Sequence, residues 1–236
     1  MSNLFKLDDG SSDSAFARIG IFGPTGSGKS TLAAKITIGL HGLIKSSKPI
    51  SNYETEGKFR TVRHWYQEAG IQTTLCQSRA FSDLSTILQN AAKHTDILNI
   101  DQITHPWDDL KSSYLQTKRG MTFISIKGWQ AVKSKWREGF DKPYLIAPIH
   151  IIWVSRMSNI FEEGDDDKMT QTGVKPKTET DAGYEPDLLI QMIMHRTPGN
   201  KTGNFTPVAF VVKDNYSNER SLMGQEFPFP TFENFL

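Results

Sequence analysis

Gly23-Pro24-Thr25-Gly26-Ser27-Gly28-Lys29-Ser30 stand in a G-x-x-x-x-G-K-S spacing that suits a chain of phosphates. The glycines let backbone N–H groups turn inward around anionic oxygens, the Lys29 ammonium reaches the β- and γ-phosphates, and the Ser30 hydroxyl ligates Mg²⁺. Gly23, Pro24, Thr25, Gly26, Ser27, Gly28, Lys29, Ser30 and Thr31 are therefore the candidate contacts to a nucleotide such as ATP, with Ser30 a candidate metal ligand. So short a pattern recurs by chance, and its surroundings decide. The apolar run 17–22 precedes it, and Leu32, Ala33, Ile36 and Leu40 follow at helical spacing. Strand, glycine loop and helix thus stand in the order that aims a helix N-terminus at phosphates.

Cleavage of a bound triphosphate needs further carboxylates. Asp101 ends the apolar run 97–100, where a carboxylate either orients Mg²⁺ through water or caps a strand at a turn. Glu54 and Glu56 lie in Asn52-Tyr53-Glu54-Thr55-Glu56-Gly57-Lys58-Phe59-Arg60, at the end of a short strand expected over 49–56. A glutamate at that edge can polarise a water for in-line attack on the γ-phosphate, or it can face solvent.

The elements that position these groups alternate. Strands are expected over 49–56, 72–76, 97–101 and 150–154. A helix is expected over 84–93, with Leu84, Ile87, Leu88, Ala91 and Ala92 at helical spacing. Alternation predicts an α/β fold with a mainly parallel sheet flanked by helices and ligands collecting at the carboxyl ends of the strands. Beyond residue 154, the polar segment 162–168 reads as a solvated loop, and 188–194 with 207–212 as two strands of an antiparallel C-terminal extension. At 236 residues, one domain over 16–226 is expected, with a flexible lead-in over 1–15 and an aromatic and proline-rich tail over 227–236 that packs on the body.

Lys and Arg number 27 against 26 Asp and Glu, so any nucleic-acid contact must come from a local patch. No apolar run approaches the roughly 18 to 20 residues that span a bilayer, and the first residues lack the apolar core of a signal peptide. Cys76 is the only cysteine, which fits a reducing cytoplasm and an inert core thiol. His64, His94, His105, His150 and His195 have no metal-ligand spacing. Between residues 111 and 142, Lys118, Arg119, Lys127, Lys133, Lys135 and Arg137 alternate with Tyr114, Phe123, Trp129 and Trp136. Charge and aromatic faces together suit single-stranded DNA. Trp129, Val132 and Trp136 also fall on one helical stripe of the kind that packs into a core, which leaves the lysines on the other face for phosphate or water.

Thr55-Glu56-Gly57-Lys58-Phe59-Arg60 resembles the Thr-Glu-Gly-x-Phe-Arg stretch of RecA-type recombinases, and Glu54 stands where that family has an aspartate. With the loop and Asp101 in order, the chain resembles a RecA-like P-loop ATPase. It is similar, more narrowly, to small phage-type members of that ATP-binding family through Lys175-Pro176-Lys177, Tyr184-Glu185-Pro186-Asp187-Leu188-Leu189 and Pro230-Thr231-Phe232. The resemblance implies a three-layer P-loop NTPase fold and hydrolysis of Mg–ATP, with Glu56 as catalytic base and Lys29 and Asp101 on the phosphates and metal. It also implies assembly into rings or filaments and action on single-stranded DNA in phage recombination or replication. In such assemblies Lys175 and Lys177, two apart and so aligned in an extended segment, would be catalytic fingers toward a neighbouring protomer; a solvated basic turn is the other reading. Ser155 and Arg156 occupy the place of the family's γ-phosphate sensor without its usual glutamine or asparagine. A nucleotide-gated assembly module with a phage morphogenesis or packaging partner is a second possible function. A kinase is a third, which the scatter of Arg60, Arg63 and Arg79 does not favour. Absence of an Asn/Thr-Lys-x-Asp motif favours ATP over GTP.

Overall fold

In the computed structural model, which describes residues 16–118, 122–163, 169–196, 205–216 and 221–235, the chain opens on β1 (Arg18–Gly23). The glycine loop leads into α1 (Lys29–Leu43), and β2 (Ile50–Glu54), α2 (Arg63–Glu68), β3 (Thr73–Gln77), α3 (Phe81–Asn90) and β4 (Ile97–Asp101) follow. Next come α4 (Thr104–Gln116), α5 (Ile126–Trp136) and α6 (Lys142–Ile146), the last two joined by a wide helical turn, Arg137–Asp141. The strands β5 (His150–Glu163), β6 (Met169–Pro176), β7 (Leu188–Arg196), β8 (Phe205–Asp214) and β9 (Glu226–Pro228) complete the fold. Among the described residues nine strands form a mostly parallel mixed sheet in the order β3-β2-β4-β5-β1-β7-β8-β9, with β6 joined to β5.

Side chains alternate across a strand, so each central strand feeds two cores. Ile19, Ile21, Ile97, Ile152 and Val154 meet Leu32, Ala33, Ile36 and Leu40 of α1, the helix face the spacing predicts. Phe22, Leu98, Ile100, Ile151 and Trp153 meet the opposite core, which holds Leu84, Trp107, Val132, Trp136 and Phe140. Helices therefore flank the sheet on both faces. Each fully buried large side chain contributes roughly 1.5–3 kcal/mol.

Four expectations change. β5 does not stop at Val154: beyond Arg156 it leaves the parallel sheet and pairs antiparallel with β6, from Met157 opposite Pro176 to Glu163 opposite Met169. Residues 162 and 163 are therefore strand, and the rest of the expected solvated loop lies outside the described residues. β7 is parallel to β1, so the antiparallel extension begins one strand later, with β8 and β9. β3, expected to be buried, is an edge strand with Leu75 exposed and Cys76 only half-buried, because among the described residues no further strand pairs beyond it. Burial still pushes the Cys76 thiol pKa up. β9 carries the start of the expected tail into the sheet. The rest packs on the body as expected, with Phe232 lying over α1 where a Cβ on Gly39 would sit 2.1 Å from its ring. The lead-in over 1–15 lies outside the described residues, and no helix among them is long and apolar enough to cross a membrane.

Candidate functional site

Parallel pairing brings the chemistry-bearing residues to one edge. In register, Gly23 lies beside Arg156, Glu54 beside Asp101, and Asp101 beside Val154, so β1, β2 and β4 end together where β5 leaves the parallel sheet. A cavity of about 330 Å³ opens there, lined by the glycine loop and by Lys29, Ser30, Glu56, Asp101 and Arg156. That volume is at the lower end for ligand pockets. Of the candidate nucleotide contacts, Thr25, Gly26, Gly28, Lys29, Ser30 and Thr31 face it. Gly23, Pro24 and Ser27 shape the loop instead: Ser27 is fully buried, and its Oγ donates to the Pro24 carbonyl at 2.9 Å.

Gly28 caps α1 at φ 88°, a left-handed conformation that a side chain would resist. No side chain caps this N-terminus and no acidic residue occupies the first turn, so its free N–H groups are open to an anion. The Lys29 Nζ donates to the Pro24 carbonyl at 2.6 Å. Burial lowers its pKa, opposed by Asp101 and Glu56. Burial likewise pushes the Asp101 carboxyl up to about 6, against the Ser30 hydroxyl, which holds it down. Ser30 and Asp101 thus adjoin, as a shared metal site requires. Among the described residues no three side chains cluster as a protein-only metal cage. Mg²⁺ is commonly held by one or two protein groups together with substrate phosphates, so the pair fits that ion.

Glu54 and Glu56 have different roles. Glu54 is 2 % exposed and closes its own turn, accepting from the N–H groups of Glu56 at 2.8 Å, Gly57 at 2.6 Å and Lys58 at 2.9 Å. Both its oxygens are used by backbone. Glu56 projects into the cavity, and side chains meet it there. Its Oε1 accepts from Arg156 Nη2 at 2.6 Å and Gln102 Nε2 at 2.7 Å, with His105 Nε2 at 3.7 Å. Its Oε2 accepts from Lys58 Nζ at 2.5 Å. Burial raises its pKa, but the hydrogen bonds and charges of Lys58 and Arg156 outweigh that and hold the carboxyl down at about 2.

Lys58, Gln102 and His105 were not picked out by sequence. Gln102 follows Asp101 directly, and His105 lies four residues beyond it at the start of α4, so counting from the Asp101 strand end would have reached both. Gln102 is buried with its Oε1 lacking a donor. His105 accepts from or donates to Thr55 Oγ1 at 2.7 Å, and its pKa is lowered by burial and by Arg156 and Arg79.

Lys175 lies exposed on β6 opposite Ser158. Lys177, also exposed, follows the strand and donates its backbone N–H to the Arg156 carbonyl at 2.7 Å. Neither lines the cavity.

The basic segment divides. Lys133 pairs with the buried Glu179 at 2.8 Å, Arg137 lies 3.9 Å from Asp181, and Lys118 covers the Tyr114 ring. Lys127 and Lys135 are exposed with no ion pair among the described residues, and Arg119 lies outside them. Lys133 is thus engaged by Glu179 and not free for phosphate. Val132 and Trp136 are fully buried, whereas Trp129 is 38 % exposed at 6.2 Å from Trp107, and Phe123 and Ile126 of the same segment are exposed.

Compared with protein-family models and with curated proteins, the chain matches none.

Proposed function

We propose that this chain is an RecA-like P-loop ATPase that binds Mg–ATP at the glycine loop and hydrolyses it with Glu56 as base. What supports this above all is the meeting of an uncapped helix N-terminus, Lys29, Ser30, Asp101 and Glu56 in one cavity. The α1 N–H groups and Lys29 bind the phosphates, and Ser30 with Asp101 would hold Mg²⁺, which supplies charge neutralisation when bound. Glu56 takes a proton from water. Self-association into a ring or filament, with Lys175 and Lys177 reaching a neighbour's nucleotide, and single-stranded DNA along Lys127, Lys135 and the exposed Phe123 and Trp129, complete the proposal. Phage recombination or replication is the setting it suits.

One observation favours the slower, nucleotide-gated module: both Glu56 oxygens already accept from cations, which makes it a weakened base in the ligand-free chain. Turnover of Mg–ATP with and without single-stranded DNA, at low and moderate salt, separates the two. Salt-sensitive stimulation that vanishes in Lys29→Ala and Glu56→Gln supports the DNA-dependent ATPase. Turnover indifferent to DNA supports the gated module, and no binding of any nucleoside triphosphate refutes both.

A further inference from the structure

Arg156 and Glu56 hold each other inside the cavity meant for the nucleotide. The Arg156 backbone is fixed on both sides: its N–H donates to Thr104 Oγ1 at 3.1 Å, and its carbonyl accepts from Lys177 at 2.7 Å. Only its side chain, 43 % exposed, is free to swing. Where it now lies it occupies Glu56 Oε1, with Gln102 on the same oxygen and Lys58 on the other. Oε1 is filled by two donors and Oε2 holds a third, so one of the carboxylate's lone-pair sites is left and two cations weaken its hold on a proton; the base is masked.

Unmasking needs a competitor for the guanidinium. A ligand shifts such an equilibrium only by binding one arrangement better than the other. Within reach of the Lys29 end of the cavity, the group that outbids a single carboxylate is a terminal phosphate, with more negative charge and a two-oxygen face that a guanidinium matches. A diphosphate ends one phosphoryl group short. Resting on the ATPase proposed above, we propose that Arg156 is a triphosphate-operated latch: it holds Glu56 in the ligand-free chain and releases it on moving to the γ-phosphate. The base is then freed of that cation only when there is a bond to cleave.

A double-mutant cycle tests the latch through binding alone. Affinities for a non-hydrolysable ATP analogue and for ADP, both with Mg²⁺, are measured by calorimetry for wild type, Glu56→Gln, Arg156→Ala and the double variant. With the latch, Glu56→Gln frees Arg156 beforehand and tightens the triphosphate analogue about fivefold, the scale of one half-exposed ion pair. Arg156→Ala weakens the analogue, Glu56→Gln adds nothing in its background, and ADP affinity stays level throughout. Arg156→Lys restores part of the loss. Equal effects of Glu56→Gln on analogue and ADP, or the same tightening with and without Arg156, would overturn the latch while leaving the ATPase intact. Wild type that binds neither nucleotide removes the ATPase itself, which is a separate result. Arg156 is a half-exposed surface side chain, and circular dichroism of each variant confirms the fold.

Discussion

Replacing Glu54 and Glu56 one at a time by glutamine separates a carboxylate that closes a turn from the proposed base two residues away. Glu54 accepts three backbone N–H groups while almost fully buried. Glutamine keeps one oxygen, so at best it retains the two bonds now made by Oε1 and sets an NH₂ against the Gly57 N–H. Losing one charge-assisted bond and leaving a buried donor unpaired costs about 3 kcal/mol. For a chain of this length that lowers Tm by roughly 6–12 °C. Glu56→Gln removes ion pairs whose cationic partners are 43 % and 61 % exposed, which together cost about 1 kcal/mol or less. It should leave Tm within about 4 °C but lower Mg–ATP turnover roughly 10²- to 10⁴-fold. Calorimetric unfolding and steady-state phosphate release read the two axes. A Glu56→Gln variant as unstable as Glu54→Gln, or a Glu54→Gln variant with unchanged Tm, would refute this division of labour.

Asp141 is buried, and burial, then the neighbouring Glu179 and Glu185, push its carboxyl up to about 7. The native state then keeps a proton that the unfolded chain has lost from about pH 4 upward, so this group costs stability increasingly as pH rises toward 7 and fully above it. Asp141→Asn should therefore raise Tm at pH 8 more than at pH 5; an equal rise at both would count against a titrating origin. Lys127→Glu with Lys135→Glu should weaken single-stranded DNA binding and reduce the salt slope by about 1.4, since each phosphate contact on a single strand contributes about 0.7. Lys133→Gln should instead lower Tm, because Glu179 is left buried without its cation; an unchanged Tm there would mean that the pair is not structural. Gly39→Ala places a methyl group 2.1 Å from the Phe232 ring, so the C-terminal segment must shift, and limited proteolysis after residue 228 should accelerate. A cleavage pattern identical to wild type would show that the segment adapts in place.

The elements nearest the glycine loop were legible because their signals are local. A run such as 97–101 with a terminal carboxylate, or Leu32, Ala33, Ile36 and Leu40 at helical spacing, is decided by its own burial, and the structure repeats both. β3 was misjudged as buried because edge position depends on whether another strand arrives. β5 was cut short because its second half is held by β6 alone, a partner the local pattern does not reveal. The same limit explains Trp129: helical spacing put it on a core stripe, but only the packing of α5 against α4 decides how far that core extends.

By itself, the sequence determined that a glycine loop with a lysine and a serine follows a strand and opens a helix, and that carboxylates end later strands. Those are properties of residue type and short spacing. Tertiary structure decided which groups meet: parallel register set Gly23, Glu54, Asp101 and Arg156 side by side at one edge. It also engaged Glu54 with the backbone of its own turn and joined Glu56 to Arg156, 100 residues away. No spacing rule specifies that pairing, because it depends on β5 lying between the strand of the glycine loop and the strand of Asp101.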